Sequence, residues 1–114
     1  MEKITKKEFI KKLCAHKTTL CGNVNNKSED FIIGKLDGLK IADGIILEKR
    51  DAEMHSSFVE FTGGSRMYFD QKGKYSFYSH TGKSGLDYLI CILDADLTGG
   101  ETWTKWTIYI LWED

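Results

Sequence analysis

Two histidines, His55 and His80, are the side chains of this chain best suited to proton transfer near neutral pH. If the strands that carry them are neighbours, Glu53, Asp70 or Ser56 would complete an acid–base pair for hydrolysis or RNA cleavage. Only the fold can bring the imidazoles together, and scattered histidines and carboxylates occur in most domains of this size. A small hydrolase or nuclease is therefore the third of three hypotheses for function, and we expect no enzyme.

Cysteine, histidine and aspartate supply metal-ligand types, but their spacing does not build a metal site. Cys14, His16 and Cys21 lack the paired CxxC or HxxxH spacing of structural zinc sites, and Cys14 lies on the apolar stripe of a predicted helix. The run DAD at 94–96 resembles a fragment of a calcium loop without its glycine and downstream glutamate. The glycines lie at predicted turns, not in a phosphate-binding loop. We expect neither a metal nor a cofactor.

The composition predicts one globular domain, residues 1–114. A chain with 41% hydrophobic and 29% charged residues can bury a core without a disulfide or a metal. The three cysteines lack the dense spacing of a disulfide scaffold, which predicts reduced thiols and a cytoplasmic location. No apolar stretch approaches the length of a membrane span, so a membrane partner is not expected.

The net charge of −1 gives no general attraction to nucleic acid, but charge is distributed unevenly. Residues 1–20 contain six lysines against two glutamates. Residues 87–114 contain six acidic residues against Lys105 alone. This asymmetry predicts a polarised surface.

Local signals at its N-terminus predict the first helix. Thr5 and Glu8 have the spacing of a capping box, and Ile4 and Phe9 hold the two positions of a hydrophobic staple. An apolar stripe follows at helical spacing, with four lysines on the opposite side. The helix is expected to end near residues 15–17.

Alternation of large and polar side chains predicts an antiparallel meander of three segments, residues 57–61, 66–70 and 75–80. Further strands are predicted at residues 18–24, 45–50, 86–93 and 102–112, and a short helix between a cap at Ser28 and about Leu36. Residues 86–93 are apolar on both alternating faces, which indicates a strand covered on two sides, with a short helix as the alternative. The predicted fold is a single α+β domain: an antiparallel sheet of about five or six strands, with the meander at its centre and the N-terminal helix packed on one face.

The same alternation divides the predicted sheet into two faces. The more apolar set is assigned to the core under the first helix and consists of Val59, Phe61, Met67, Phe69, Tyr75, Phe77, Trp106, Ile108 and Ile110. The opposite set mixes aromatic and charged side chains and consists of Phe58, Glu60, Arg66, Tyr68, Asp70, Tyr78, His80, Trp103, Lys105 and Tyr109. Such mixtures are typical of protein-binding surfaces, because aromatic rings with a polar group and arginine dominate binding energy. The alternative is that residues 29–55 fold over this face and bury its aromatics.

From the mixed face we predict a partner-binding site. Its anchors are expected to be Tyr68, Tyr78, Trp103 and Tyr109. Three carboxylates are expected to supply its electrostatic part, Asp94, Asp96 and Glu101.

The segments ITKKEFIKKL, TTLCG and SSFVEFTGGSRMYFDQKGKYSFY, in a chain without proline, resemble the small lysine- and isoleucine-rich proteins of bacterial phages and mobile elements. Among proteins of this kind, the resemblance points first to the anti-CRISPR inhibitors. The resemblance implies a compact α+β domain that binds one host protein and blocks a nucleic-acid channel or a moving part by occupancy. Carboxylates on its surface would then mimic phosphates against a basic groove.

The leading hypothesis is thus a non-enzymatic protein-binding module, an inhibitor of a host nucleic-acid-binding defence effector. The second hypothesis is a single-stranded nucleic-acid binder that stacks bases on the same aromatic side chains. Against the second stand the near-neutral net charge, the acidic last third and the absence of the basic-Gly-aromatic-Gly pattern of RNA-recognition sheets.

Overall fold

Two antiparallel sheets and two helices form the regular structure of the computed structural model, which describes residues 1–42, 44–96 and 102–113. In chain order the elements are β1 (Glu2–Ile4), α1 (Lys6–Ala15), β2 (Lys17–Asn25), α2 (Glu29–Gly38), β3 (Ala52–Met54), β4 (Phe58–Phe61), β5 (Arg66–Tyr68), β6 (Lys74–Thr81), β7 (Asp87–Asp96) and β8 (Thr102–Trp112). The large sheet has the strand order β1-β6-β7-β8-β2 and the small sheet the order β3-β4-β5. The predicted α+β class, the antiparallel pairing and the helix packed on a sheet are confirmed.

The long hairpin β7–β8 forms the centre of the large sheet, with ten residue pairs between its strands. The first face of the large sheet carries the side chains of Phe77, Leu89, Cys91 and Tyr109. Its second face carries those of Tyr88, Ile90, Trp106, Ile108 and Ile110. Leu89 and Ile90 are neighbours in sequence and are both 0% exposed, on opposite faces. The prediction that this strand is covered on two sides is therefore confirmed.

Helix α1 and the small sheet cover the first face. Thr5 caps α1 by accepting a hydrogen bond from the Glu8 backbone N–H at 3.1 Å, while Glu8 accepts from the Thr5 backbone N–H at 3.4 Å. The predicted capping box is confirmed. It places Phe9 and Leu13, both 0% exposed, against the inward residues of the small sheet and of β6.

Helix α2 covers the second face. Ser28 accepts a hydrogen bond from the Phe31 backbone N–H at 3.2 Å, and the helix buries Ile32 and Leu36 against the sheet. The Tyr88 hydroxyl donates to the Leu36 carbonyl at 3.1 Å and ties the end of α2 to β7.

The assignment of Trp106, Ile108 and Ile110 to the core is correct, but their placement under the first helix is wrong. All three lie on the second face, under α2. The reason is that β8 is apolar on both of its faces, so its alternation identifies two buried sides without telling which helix covers each.

The predicted meander is divided between the two sheets. Its first two segments pair as β4 and β5, whereas the third, β6, joins the large sheet and β3 takes its place. Between β5 and β6 the chain passes from the small sheet to the large one, and Phe69 contacts Phe77 with ring centroids 6.1 Å apart. Gly73 makes this possible: with φ at +142°, it approaches the backbone of Asp94 so closely that a Cβ would lie 2.5 Å from the carbonyl oxygen.

Replacing Ile32 with alanine tests whether α2 is a true covering layer. Ile32 is 2% exposed, so Ile32→Ala is expected to lower the free energy of unfolding by about 2–5 kcal/mol. Ile46 is 94% exposed, and Ile46→Ala should change the free energy of unfolding by less than about 0.5 kcal/mol. Urea unfolding of both variants makes the measurement, and equal effects would contradict the assigned role of α2.

Candidate interaction site

The outward side of the small sheet gathers one predicted anchor with three neighbours. We call this the outer face; its members are Phe58, Glu60, Arg66 and Tyr68. Phe58 lies opposite Tyr68 in the strand register, and Glu60 lies opposite Arg66. Because successive strand residues point to opposite sides, the four share one surface while the residues between them are buried. Tyr68 is 44% exposed, so the outer face is open to a partner.

Three contacts hold Arg66 in one orientation. Its Nε donates to Glu60 Oε2 at 2.9 Å, and its Nη1 donates to the Tyr68 hydroxyl at 3.4 Å. The guanidinium carbon lies 4.4 Å from the centre of the Phe58 ring, within the range of a cation–π contact. The hydrogen bond to Tyr68, and after it the one to Glu60, raises the pKa of Arg66. These contacts fix the orientation of the cation relative to the two rings.

Glu53 and His55 extend the outer face beside β4. Glu53 lies opposite Glu60, and carboxylates on directly opposed residues repel each other. Glu60 pairs with Arg66, but no cation lies within salt-bridge distance of Glu53 among the described residues. The His55 ring stacks on Phe58 with centroids 4.7 Å apart, and its buried Nε2 has no hydrogen-bond partner in the described part of the chain. The outer face thus joins aromatic rings to an unneutralised carboxylate.

A groove of about 550 Å³ separates the small sheet from the first face of the large one. Arg66 and Tyr68 line it from the small sheet, and Lys105 and Tyr109 line it from β8. Two of the predicted anchors, Tyr68 and Tyr109, are therefore brought to the same place.

The prediction that Tyr109 is an exposed anchor is wrong, because its side chain is 5% exposed. Its ring stacks on Phe61 with centroids 5.1 Å apart, within the core of the first face. Burial, with the nearby Cys91, raises the pKa of its phenol. The alternation in β8 separates its two sides correctly, but the side that carries Tyr109 is covered as well.

The two other aromatic anchors lie apart from the outer face. Tyr78 projects from β6 to the second face and packs, partly buried, against the core beneath α2. The alternative that residues 29–55 cover part of the mixed face is thus correct for α2. Trp103 is half-buried and lies opposite Ala95 on the first face, near one end of β8.

The predicted acidic residues do not adjoin the outer face where the structure describes them. Asp94 lies on the second face and accepts a hydrogen bond from the Thr104 hydroxyl at 2.9 Å. Asp96 is paired through its backbone with Thr102, and Glu101 lies outside the described residues. Asp87 begins the strand that Asp96 ends, so the acidic residues of β7 occupy two distant ends of the sheet.

His55 and His80 lie on opposite sides of the large sheet. His55 contacts the small sheet, which covers the first face, while His80 contacts α2, which covers the second. The His80 Nε2 is 3.0 Å from Asp37 Oδ1 of α2, and the His80 ring stacks on Tyr88. The structure therefore does not bring together the two imidazoles that the hydrolase hypothesis combines. The His80–Asp37 pair instead joins α2 to β6.

This pair gives a pH dependence that Asp37→Asn can measure. The hydrogen bond from His80, supported by the one from the Lys83 backbone, lowers the pKa of Asp37 from its ordinary value of 3.8. The stabilisation by the ionised carboxylate is therefore complete above pH 3.8 and is lost as the pH falls through the lower pKa of the folded state. Asp37→Asn should be less stable than wild type near neutral pH, and the difference should shrink in acid.

Thermal unfolding from neutral to acidic pH measures this difference, with Asp70→Asn as the control. Asp70 is exposed and makes no ion pair within the described residues, so its variant should follow the wild type throughout. If Asp37→Asn were less stable than the wild type by the same amount at every pH, the His80–Asp37 pair would not be the source of the lost stability.

The connection from residue 39 to residue 51 is a second exposed surface, which the sequence analysis missed. Residues 45–50 were predicted to be a strand, and this is wrong: only Arg50 forms a bridge, with Thr18. The apolar run lacks a neighbouring strand, and it exposes Ile41, Ile45 and Ile46 by 37%, 55% and 94%. Long irregular connections with exposed apolar residues often contact partners.

The described residues contain no group of three or more His, Cys, Asp or Glu placed to hold a metal. Within that same part of the chain, neither helix has the length and apolar character needed to cross a membrane. The three cysteines are unpaired, and burial raises the pKa of the Cys91 thiol to about 12.

Comparison with known proteins adds no assignment to this geometry. The chain matches no protein-family model, and neither a curated protein nor a solved structure is significantly similar to it.

Proposed function

We propose that the protein is a non-enzymatic binding module that inhibits a host protein by occupancy, using the outer face as its contact surface. The observation that carries this proposal is the exposure of Tyr68 on a paired strand beside Arg66, whose orientation is already set by Glu60 and Phe58. Tyrosine and arginine held in this way lose little side-chain freedom on binding, and they are the residue types that dominate interfaces.

Charge on the outer face favours a partner with a basic surface. Glu53 and Glu60 face each other, and Arg66 neutralises only the second of them. A lysine or arginine from a partner would relieve this repulsion and add a charge-assisted hydrogen bond. A defence effector that binds nucleic acid carries such a surface, and covering it is how an anti-CRISPR-like inhibitor from a phage or mobile element would act.

Single-stranded nucleic acid is the competing ligand for the same rings. Phe58 and Tyr68 could stack bases, but the two carboxylates beside them would repel the phosphates. Arg66 already forms a salt bridge with Glu60, which offsets its attraction for a phosphate. We therefore propose a protein, in preference to single-stranded nucleic acid, as the ligand of the outer face.

Truncation of Tyr68 tests the proposal directly. Tagged protein is used to capture partners from a lysate of the native host, with and without nuclease. Tyr68→Ala is expected to lower capture of the partner by about tenfold or more, because exposed aromatic anchors dominate binding energy. Phe31→Ala is the matched control: Phe31 is 41% exposed on α2, at the opposite side of the molecule, and its variant should capture normally.

Three outcomes would contradict the proposal. Equal capture by wild type and Tyr68→Ala would exclude the outer face, and recovery of nuclease-sensitive nucleic acid alone would favour the competing ligand. Capture of nothing under either condition would remove the basis for a binding module. Thermal unfolding of each variant shows whether any loss comes from binding or from folding.

A further inference from the structure

The groove between the two sheets has the lining of a small-molecule site, and most of its residues do not belong to the outer face. Its volume of about 550 Å³ lies in the usual range for sites that enclose small ligands. It is bounded by β4 and β5 on one side and by β2, β6, β7 and β8 on the other. The small sheet covers the first face without sealing it, and this leaves the groove open.

One row of side chains crosses the floor of the groove. Lys105 of β8 lies opposite Leu93 of β7, and Leu93 lies opposite Tyr75 of β6. Neighbouring strands are about 4.8 Å apart, so the row spans about 10 Å from cation to ring. A molecule of two fused or linked aromatic rings has this length.

Charge in the groove is positive. Three cations, Arg50, Arg66 and Lys105, line it together with one carboxylate, Glu48. Arg50 pairs with Glu48, and Arg66 pairs with Glu60 outside the groove. No carboxylate among the described residues lies within salt-bridge distance of the Lys105 ammonium, which is half-buried. An anionic group of a ligand could form a salt bridge with the Lys105 ammonium.

The Tyr109 hydroxyl is a further donor at the groove. Its ring is almost fully buried, whereas the hydroxyl makes no hydrogen bond to the described residues and is not among their buried polar atoms. An acceptor on a ligand in the groove could take this hydrogen bond. The neighbouring Thr107 hydroxyl differs, since it donates to Asn23 at 3.1 Å.

We propose that the groove binds a small aromatic anion, with its charged group at Lys105 and its rings over Leu93 and Tyr75. An inorganic anion would leave the apolar part of this floor uncovered, and an organic cation would be repelled. The groove shares Arg66 and Tyr68 with the outer face, whereas Lys105, Leu93 and Tyr75, on which the ligand is placed, do not belong to that face.

Two fluorescent probes that differ by one charged group test this proposal. Anilinonaphthalene sulfonate is an aromatic anion, and phenylnaphthylamine is the same molecule without the sulfonate. Wild-type protein should bind the anionic probe saturably at one site. Lys105→Gln should weaken that binding by about tenfold, the effect of losing one charge-assisted hydrogen bond, and should leave the neutral probe unchanged.

Matched variants locate the bound probe. Lys74→Gln removes an exposed lysine at the same end of the large sheet, and Ile46→Ser removes the most exposed apolar side chain. Both should bind the anionic probe as wild type does. Thr107→Trp, which fills the groove, should abolish the binding of both probes without changing the far-ultraviolet circular dichroism.

Several results would overturn the proposal. They are an absence of saturable binding to wild type, an unchanged affinity in Lys105→Gln, or loss of binding in Ile46→Ser. If Thr107→Trp fails to fold, the comparison of the two probes on Lys105→Gln still decides the matter. An equal effect of Lys105→Gln on both probes would show that the lysine does not contact the sulfonate.

Discussion

The burial of the β7–β8 hairpin on both faces is the constraint on which the rest of this structure depends. Its two strands carry apolar side chains at successive positions, and Leu89 and Ile90 are both fully buried although they point in opposite directions. Each face therefore needs its own cover. Helix α2 covers one face, while α1 and the small sheet share the other. In this way the described residues form three layers.

The small sheet, which is needed to cover the first face, also carries the residues of the proposed contact surface. Its inward residues complete the core, so its outward residues are presented on paired strands with a fixed orientation. Arg66 and Tyr68 belong both to the outer face and to the rim of the groove, because the small sheet covers the first face only in part. The proposed contact with a protein and the proposed binding of a small molecule would therefore both depend on this incomplete cover.

What the sequence predicted depends on how local the signal is. The capping box at Thr5, the cap at Ser28 and the exposed alternation at Tyr68 are set by a few neighbouring residues, and all three agree with the structure. Tyr109 was misplaced because β8 is apolar on both faces, so its parity carries no information about exposure. The position of β6 in the large sheet was not predicted. Two strand segments joined by a glycine-bearing turn can pair with each other or lie in two different sheets, and their sequence pattern is the same in both cases.

Photo-crosslinking from the outer face is the most direct test of the central claim, that this face binds a host protein. A photoreactive benzoyl-phenylalanine would replace Tyr68 in one variant and Phe31 in a control, and both would be irradiated in the native host. We predict an adduct of one defined added protein mass from position 68, resistant to nuclease, and none from position 31. Equal adducts from both positions, an adduct only to nucleic acid, or no adduct at position 68 would contradict the account.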